Sequence, residues 1–135
     1  MEISIIVPAY NEEGNLPRLL KDLRPLRGPT CELIVVDDGS RDRTSQIAKA
    51  AGAVVIRLPR NRGKGAALRA GFRAARGRYL VQIDADRQFL SREIPRLIKP
   101  LQHGADIAFG SRFLRGSTRQ PGAMAWTNFI AHHVI

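Results

Sequence analysis

Asp84-Ala85-Asp86 follows directly on the apolar run Tyr79–Ile83. Carboxylates at i and i+2, where a strand gives way to a loop, offer hard oxygen donors to Mg²⁺ or Mn²⁺. Gln88 adds a third oxygen, and a nucleotide pyrophosphate can complete the shell. The same spacing also reads as a solvated turn, which aspartate favours. Asp37-Asp38-Gly39-Ser40 ends a second apolar run. One of its carboxylates can accept hydrogen bonds from a base or ribose, and Asp37, Asp38, Ser40 and Asp42 can equally cap the helix that follows. Glu12 and Glu13 fall in the first turn of the first helix, where the dipole favours anions. Tyr10 just before them can stack on a base or pack. Arg60-Asn61-Arg62-Gly63-Lys64-Gly65 joins glycines and basic side chains to a helix N-terminus, which suits either a phosphate-facing loop or a solvated turn. Ser111-Arg112 follows the last strand of this pattern, placing Arg112 to neutralise a phosphate.

The elements that must position these residues alternate along the chain. Apolar, β-branched runs at Ile3–Val7, Leu33–Val36, Ala53–Ile56, Tyr79–Ile83 and Asp106–Phe109 read as strands. Leu16, Leu19, Leu20 and Leu23 recur at helical spacing, and Pro25 and Gly28 end that helix. A second helix carries Ile47, Ala48 and Ala51 inward until Gly52 stops it. A third, Gly63–Ala75, offers Ala66, Ala70 and Ala74 for close packing on a sheet; a fourth covers Ile94–Leu101. Near-continuous apolar strands joined by helical crossovers imply an α/β fold, a doubly wound and mostly parallel sheet with helices on both faces. Ligands of such sheets bind outside the carboxyl ends of the strands, and the three acidic clusters all fall there.

Composition narrows the choice. The chain has 135 residues, of which 44% are apolar, with mean hydropathy −0.20: enough for one domain with a real core. No run approaches the roughly 20 apolar residues of a membrane span, and no signal peptide is legible. One cysteine, Cys31, excludes an internal disulfide; it stands before the second strand, opposite the acidic rim, as a packing residue. Twenty-two basic residues against 12 acidic give +10, which suggests an anionic partner. Yet arginine outnumbers lysine 18 to 4, a bias a GC-rich genome also produces, and no basic run or aromatic-interleaved basic strand marks a nucleic-acid binder. The first strand-to-helix turn, Pro8–Gly14, lacks Gly-x-Gly-x-x-Gly, which disfavours a dinucleotide-binding domain or a methyltransferase. A P-loop and a Gly-x-Ser-x-Gly elbow are also missing.

Five ordered stretches together resemble the inverting family 2 glycosyltransferases of GT-A fold, above all those that make polyprenyl-phosphate sugars: SIIVPAYNEEGNL (4–16), ELIVVDDGSRDRT (32–44), PRNRGKGAALRAG (59–71), YLVQIDADRQF (79–89) and FGSRFLRG (109–116). The resemblance implies a nucleotide-sugar-binding core over residues 1–116. It makes residues 117–135 the incomplete start of an acceptor and membrane-interface region, with Met124, Trp126, Phe129, Ile130 and Val134 as an interfacial stripe or a terminal packed helix. Pro8, Tyr10, Glu12, Asp38, Lys64, Asp84 and Ala85 would cradle the donor. Asp84 and Asp86 would form the family's DXD motif, with Asp86 and Gln88 on Mg²⁺ or Mn²⁺. Arg112 would bind the diphosphate or the acceptor phosphate. The implied reaction moves a sugar from a UDP- or GDP-linked donor to a polyprenyl phosphate at the inner face of the cytoplasmic membrane, in contact with anionic lipid and without nucleic acid. An acceptor that is already a phosphate needs little deprotonation, and no base candidate stands out. Arg87 and Phe89 depart from the expected surroundings of the DXD motif. The chain is then the donor-binding front of a longer enzyme, incomplete for activity by itself. The alternatives are a family 2 transferase acting on a hydroxyl acceptor such as a polysaccharide or cell-wall glycan, a sugar nucleotidyltransferase, or a non-catalytic module for anionic lipid or nucleic acid.

Overall fold

The computed structural model describes residues 1–86, 91–110 and 128–132. Its strands are β1 (Ile3–Ala9), β2 (Cys31–Asp37), β3 (Val54–Arg57), β4 (Tyr79–Gln82), β5 (Ile107–Gly110) and β6 (Asn128–His132). Its helices are α1 (Leu16–Leu23), α2 (Thr44–Ala50), α3 (Lys64–Ala74) and α4 (Ile94–Gln102), with 3-10 turns at Arg24–Leu26 and Ser91–Glu93. Among the described residues these strands form one six-stranded sheet in the order β3-β2-β1-β4-β6-β5. Strands β1 to β4 pair in parallel, and β6 runs antiparallel to both β4 and β5. The doubly wound, mostly parallel reading of the sequence is therefore met. Strand order reverses on either side of β1, which places the switch-point crevice between β1 and β4.

Both faces are covered, as the unbroken apolar strands require. On one face Ile5, Val7, Leu33, Val35 and Val81 meet the α1 leucines and Ile94, Ile98 and Leu101 of α4. On the other, Ile6, Ile34, Val36 and Leu80 meet α3. The buried stripe of α3 is Ala67 and Gly71, one position along from the Ala66, Ala70 and Ala74 set that spacing suggested; of that set Ala70 packs at the edge of the core and Ala74 is exposed. Contact forces this register. A Cβ on Gly71 would lie 2.4 Å from Ile6 Cγ2, so only glycine lets the helix lie this close to the sheet. Glu12 and Glu13 also differ from expectation, since they precede α1, whose first turn holds no acid. Within the stretch read as an interfacial stripe or terminal helix, Asn128–His132 is instead a strand inserted between β4 and β5. Met124, Trp126 and Val134 lie outside the described residues.

The amino ends of the strands are locked by a buried polar knot. Ser4 Oγ donates to Glu32 Oε1 at 2.5 Å, the Arg76 backbone N–H reaches the same oxygen at 2.7 Å, and Arg76 Nη2 reaches Glu32 Oε2 at 3.2 Å. The Gly77 N–H donates to Ser4 Oγ at 2.7 Å. A carboxylate this buried must be paired to remain ionised. Burial opposes the charge on Glu32, but the hydrogen bonds from Ser4 and Arg76 outweigh it and hold its carboxyl below the usual range. Cys31, at the same end of the sheet, is half-buried against the core; burial pushes its thiol up, as befits a packing residue.

Two predictions follow from the knot. A depressed folded pKa stabilises above the unfolded value and loses that contribution as pH falls through the folded one. Glu32→Gln should therefore cost about 2 kcal/mol of unfolding free energy at pH 7. The gap to the parent chain should narrow in denaturant titrations taken below pH 4.5, Glu32's reference value; a gap constant with pH would remove the ionic role. For Gly77, an added Cβ would sit 2.4 Å from the Ser4 backbone nitrogen. Gly77→Ala should thus cost roughly 2 kcal/mol or more, read as a fall in melting temperature.

Candidate functional site

The carboxyl ends of β1, β2 and β4 open onto a cavity of about 370 Å³ at the switch point. Pro8 lines it from the end of β1, Tyr10 and Glu12 from the loop that follows, Asp38 from the loop after β2, Asn61, Gly63 and Lys64 from the entry to α3, and Asp84, Ala85 and Asp86 from the loop after β4. All the expected donor-site residues that fall within the described chain are therefore together. Gln88 and Arg112, expected at the metal and the phosphate, lie outside the described residues, as do Arg87 and Phe89.

The first two loops are stitched to one another. The consecutive N–H groups of Asn11, Glu12 and Glu13 donate to Ser40 Oγ (2.9 Å), Thr44 Oγ1 (2.9 Å) and Asp42 Oδ2 (3.0 Å). In return Asn11 Oδ1 and Glu13 Oε2 accept from the N–H groups of Arg41 (2.9 Å) and Arg43 (3.1 Å). Asn11 adopts φ 53°, a conformation asparagine tolerates better than most residues. Partial burial resists charge on Asp42, yet hydrogen bonds from the Thr44 hydroxyl and the Glu13 and Thr44 N–H groups keep its carboxyl below the ordinary range. Asp37 is wholly buried and accepts from the Ser40 N–H at 2.7 Å and from the Ser45 hydroxyl. Most of the acidic clustering in this loop is thus structural, and Asp38 is the acid it presents to the cavity.

Asp38 also reaches across to the third loop. Its Oδ1 accepts from the Arg62 N–H and its Oδ2 from the Gly63 N–H, both at 2.8 Å. Gly63 is the N-cap residue of α3 and Arg62 precedes it, so this carboxylate pins the loop that leads into the helix. Gly39 makes the approach possible. It takes φ +77°, and a Cβ there would lie 2.6 Å from the Arg60 carbonyl carbon. Lys64, the next residue after the cap, forms an ion pair with Asp84 Oδ1 at 2.6 Å. Gln82 Nε2 donates to the same oxygen at 3.1 Å. Sequence spacing gave Gln82 and Asn61 no role. A polar residue inside the buried run Tyr79–Ile83 was the available signal for the first; nothing distinguished Asn61 from its loop neighbours.

Asp84 and Asp86 fit a hard divalent cation by donor type. Among the described residues no three His, Cys, Asp or Glu side chains group as a metal site. The cavity thus sets carboxylates suited to a cation beside an ammonium suited to an anion.

Comparison with known proteins agrees with this arrangement. The model of glycosyl transferase family 2 matches residues 4–133. An undecaprenyl-phosphate 4-deoxy-4-formamido-L-arabinose transferase of Pseudomonas paraeruginosa is 38% identical over 98% of this chain and 41% of its own length. A dolichol-phosphate mannosyltransferase of Pyrococcus furiosus is 40% identical over 86% of this chain and 34% of its own. The chain therefore spans between 34% and 41% of the length of these relatives. Among solved structures, glucosyl-3-phosphoglycerate synthase from Mycobacterium tuberculosis, with Mn²⁺, UDP and glucosyl-3-phosphoglycerate, superposes with TM-score 0.73 at 29% identity over 97% of this chain and 56% of that one. TarS of S. aureus with UDP-GlcNAc gives 0.68 at 29% identity over 79% of this chain and 33% of that one. With its parallel sheet, switch-point cavity and ordered motifs, the chain belongs to glycosyl transferase family 2.

Proposed function

We propose that the chain is the donor-binding part of an inverting glycosyltransferase that moves a sugar from a UDP- or GDP-linked donor to a polyprenyl phosphate. The observation that carries this reading is the convergence of Asp38, Lys64, Asp84 and Asp86 on one cavity at the switch point. Tyr10 and Pro8 offer faces for a base, and Glu12 and Asp38 offer acceptors for base and ribose. Asp86, with Gln88, holds Mg²⁺ or Mn²⁺, which as a Lewis acid stabilises charge on the departing nucleoside diphosphate. Arg112 is assigned to the diphosphate or the acceptor phosphate. The relatives named for undecaprenyl and dolichol phosphate support the acceptor class, and the synthase crystallised with Mn²⁺ and UDP supports the cofactor and donor.

The names of the relatives favour a phosphate acceptor over a hydroxyl one. Glu12 accepts from Asn15 Nδ2, Asp38 from two backbone N–H groups and Asp84 from Lys64 and Gln82. These carboxylates thus already serve as acceptors within the site, and a phosphate oxygen attacking the sugar needs no general base. Residues 117–135 are assigned to the acceptor side, with Asn128–His132 anchoring that stretch in the sheet. No helix among the described residues is long and apolar enough to cross a membrane. We assign the chain to the inner membrane face through its acceptor, with the +10 charge assisting contact with anionic lipid.

UDP or GDP with Mn²⁺, at a hundredfold excess over Kd, should raise the melting temperature by roughly 5–10 °C. No metal-dependent shift with either nucleotide would defeat the reading. Asp86→Ala should remove the metal-dependent part and leave the ligand-free melting temperature nearly unchanged, because Asp86 is exposed. Gly39→Ala should act differently. The strained φ and the clash with Arg60 should cost about 2 kcal/mol or more of stability, and displacing Asp38 from Gly63 should weaken nucleotide binding in calorimetry even where the chain remains folded.

A further inference from the structure

We infer that Lys64 couples divalent-cation binding to nucleotide binding, so that metal and diphosphate enter this cavity together rather than separately. The inference rests on the donor-site reading above and assigns a role to a residue outside the metal's own ligands.

The geometry begins with Asp84. Its Oδ1 is held from the strand side by Gln82, a buried residue of β4, and from the helix side by the Lys64 ammonium at 2.6 Å. The carboxylate is therefore held from two sides, while the Lys64 side chain is 35% exposed and lines the cavity a diphosphate would enter. Its position works against helix stability. Lys64 is the first residue of α3, and a cation there opposes the helix dipole, with no acidic residue in that first turn to offset it. The pair with Asp84 compensates, but a residue chosen only to begin a helix would carry the opposite charge.

The electrostatic consequence follows from proximity. Asp86 stands two residues from Asp84 and lines the same cavity. A divalent cation arriving there alone meets a neighbouring carboxylate already matched by an ammonium, and is repelled by that ammonium. A diphosphate reverses the balance. It screens the repulsion and accepts charge-assisted hydrogen bonds from Lys64, while its other oxygens complete the metal's shell. Metal and diphosphate each then bind more tightly in the presence of the other, and by linkage the factor is the same in both directions.

The test is a Mn²⁺ titration of the full chain, with free Mn²⁺ read by its paramagnetic resonance signal, alone and with saturating UDP or GDP. In the parent chain the nucleotide should tighten Mn²⁺ binding by about tenfold or more. Lys64→Met should bind Mn²⁺ alone about fivefold more tightly and lose a similar factor of coupling, the modest size reflecting the pair's exposure to solvent. Lys64→Arg should keep the coupling, and Lys64→Gln gives a second neutral variant should the methionine chain fold poorly. Coupling that is unchanged in the neutral variants overturns the role of Lys64 and leaves the donor-site reading intact. Failure of the parent chain to bind either Mn²⁺–nucleotide pair overturns both.

Discussion

The rim of this sheet depends on one carboxylate. Asp38 leaves the end of β2 and takes up the N–H groups of Arg62 and Gly63, so that it fixes the loop leading into α3. Charge-assisted hydrogen bonds of this kind are among the stronger polar contacts, and in a buried setting losing one leaves donors unsatisfied. Lys64 follows Gly63 directly, and its ion pair with Asp84 carries the constraint on to the end of β4. A continuous polar path thus runs from β2 over β1 to β4. Without it the three loops would share a rim but no fixed geometry.

Parallel pairing supplies the frame on which that path is strung. Ala9 stands opposite Asp37, and Ile6 opposite Gln82, so the carboxyl ends of β1, β2 and β4 come out close together. The opposite end of the sheet is closed by the knot of Ser4, Glu32, Arg76 and Gly77. Each end therefore uses a carboxylate that accepts backbone N–H groups from a distant loop. The purposes differ: Glu32 is turned inward to close the fold, whereas Asp38 keeps one side on the cavity.

The fold was largely legible because hydrophobic period and turn residues encode it locally. The first helix, Leu16–Leu23, and the positions of the first five strands follow directly from spacing. Strand β6 escaped because an antiparallel insertion between β4 and β5 is a tertiary fact, and the residues around Asn128–His132 read equally well as an apolar helical stripe. The packing face of α3 escaped for a related reason: alanines fill both candidate stripes, and the choice is made by how closely Gly71 approaches Ile6. At the site, the convergence of the Pro8–Glu13, Asp37–Asp42 and Asp84–Gln88 segments was visible from their places at the carboxyl ends of parallel strands. Spacing could not show which acids face the ligand. Asp37 and Asp42 share the sequence signature of Asp38, and only their burial and hydrogen-bond partners separate structural carboxylates from the one on the cavity.

The surplus of positive charge looks different once these partners are known. Arg27 donates to the carbonyls of Ala51 and Gly52, closing the end of α2; Arg57 reaches the Ser40 carbonyl at 2.9 Å; and Arg76 serves Glu32. These guanidinium groups satisfy carbonyls and carboxylates where loops cross, a use that suits the planar, multi-donor fork of arginine better than lysine. Part of the +10 therefore acts inside the fold. In the cavity the balance is different, because its basic side chain among the described residues is Lys64 and its acids are Glu12, Asp38, Asp84 and Asp86. A site built chiefly to attract a polyanion would not carry that excess of carboxylates. The proposed coupling accounts for both: the carboxylates would receive the metal that accompanies the anion, and the lysine beside them would make the cation's entry depend on the anion's.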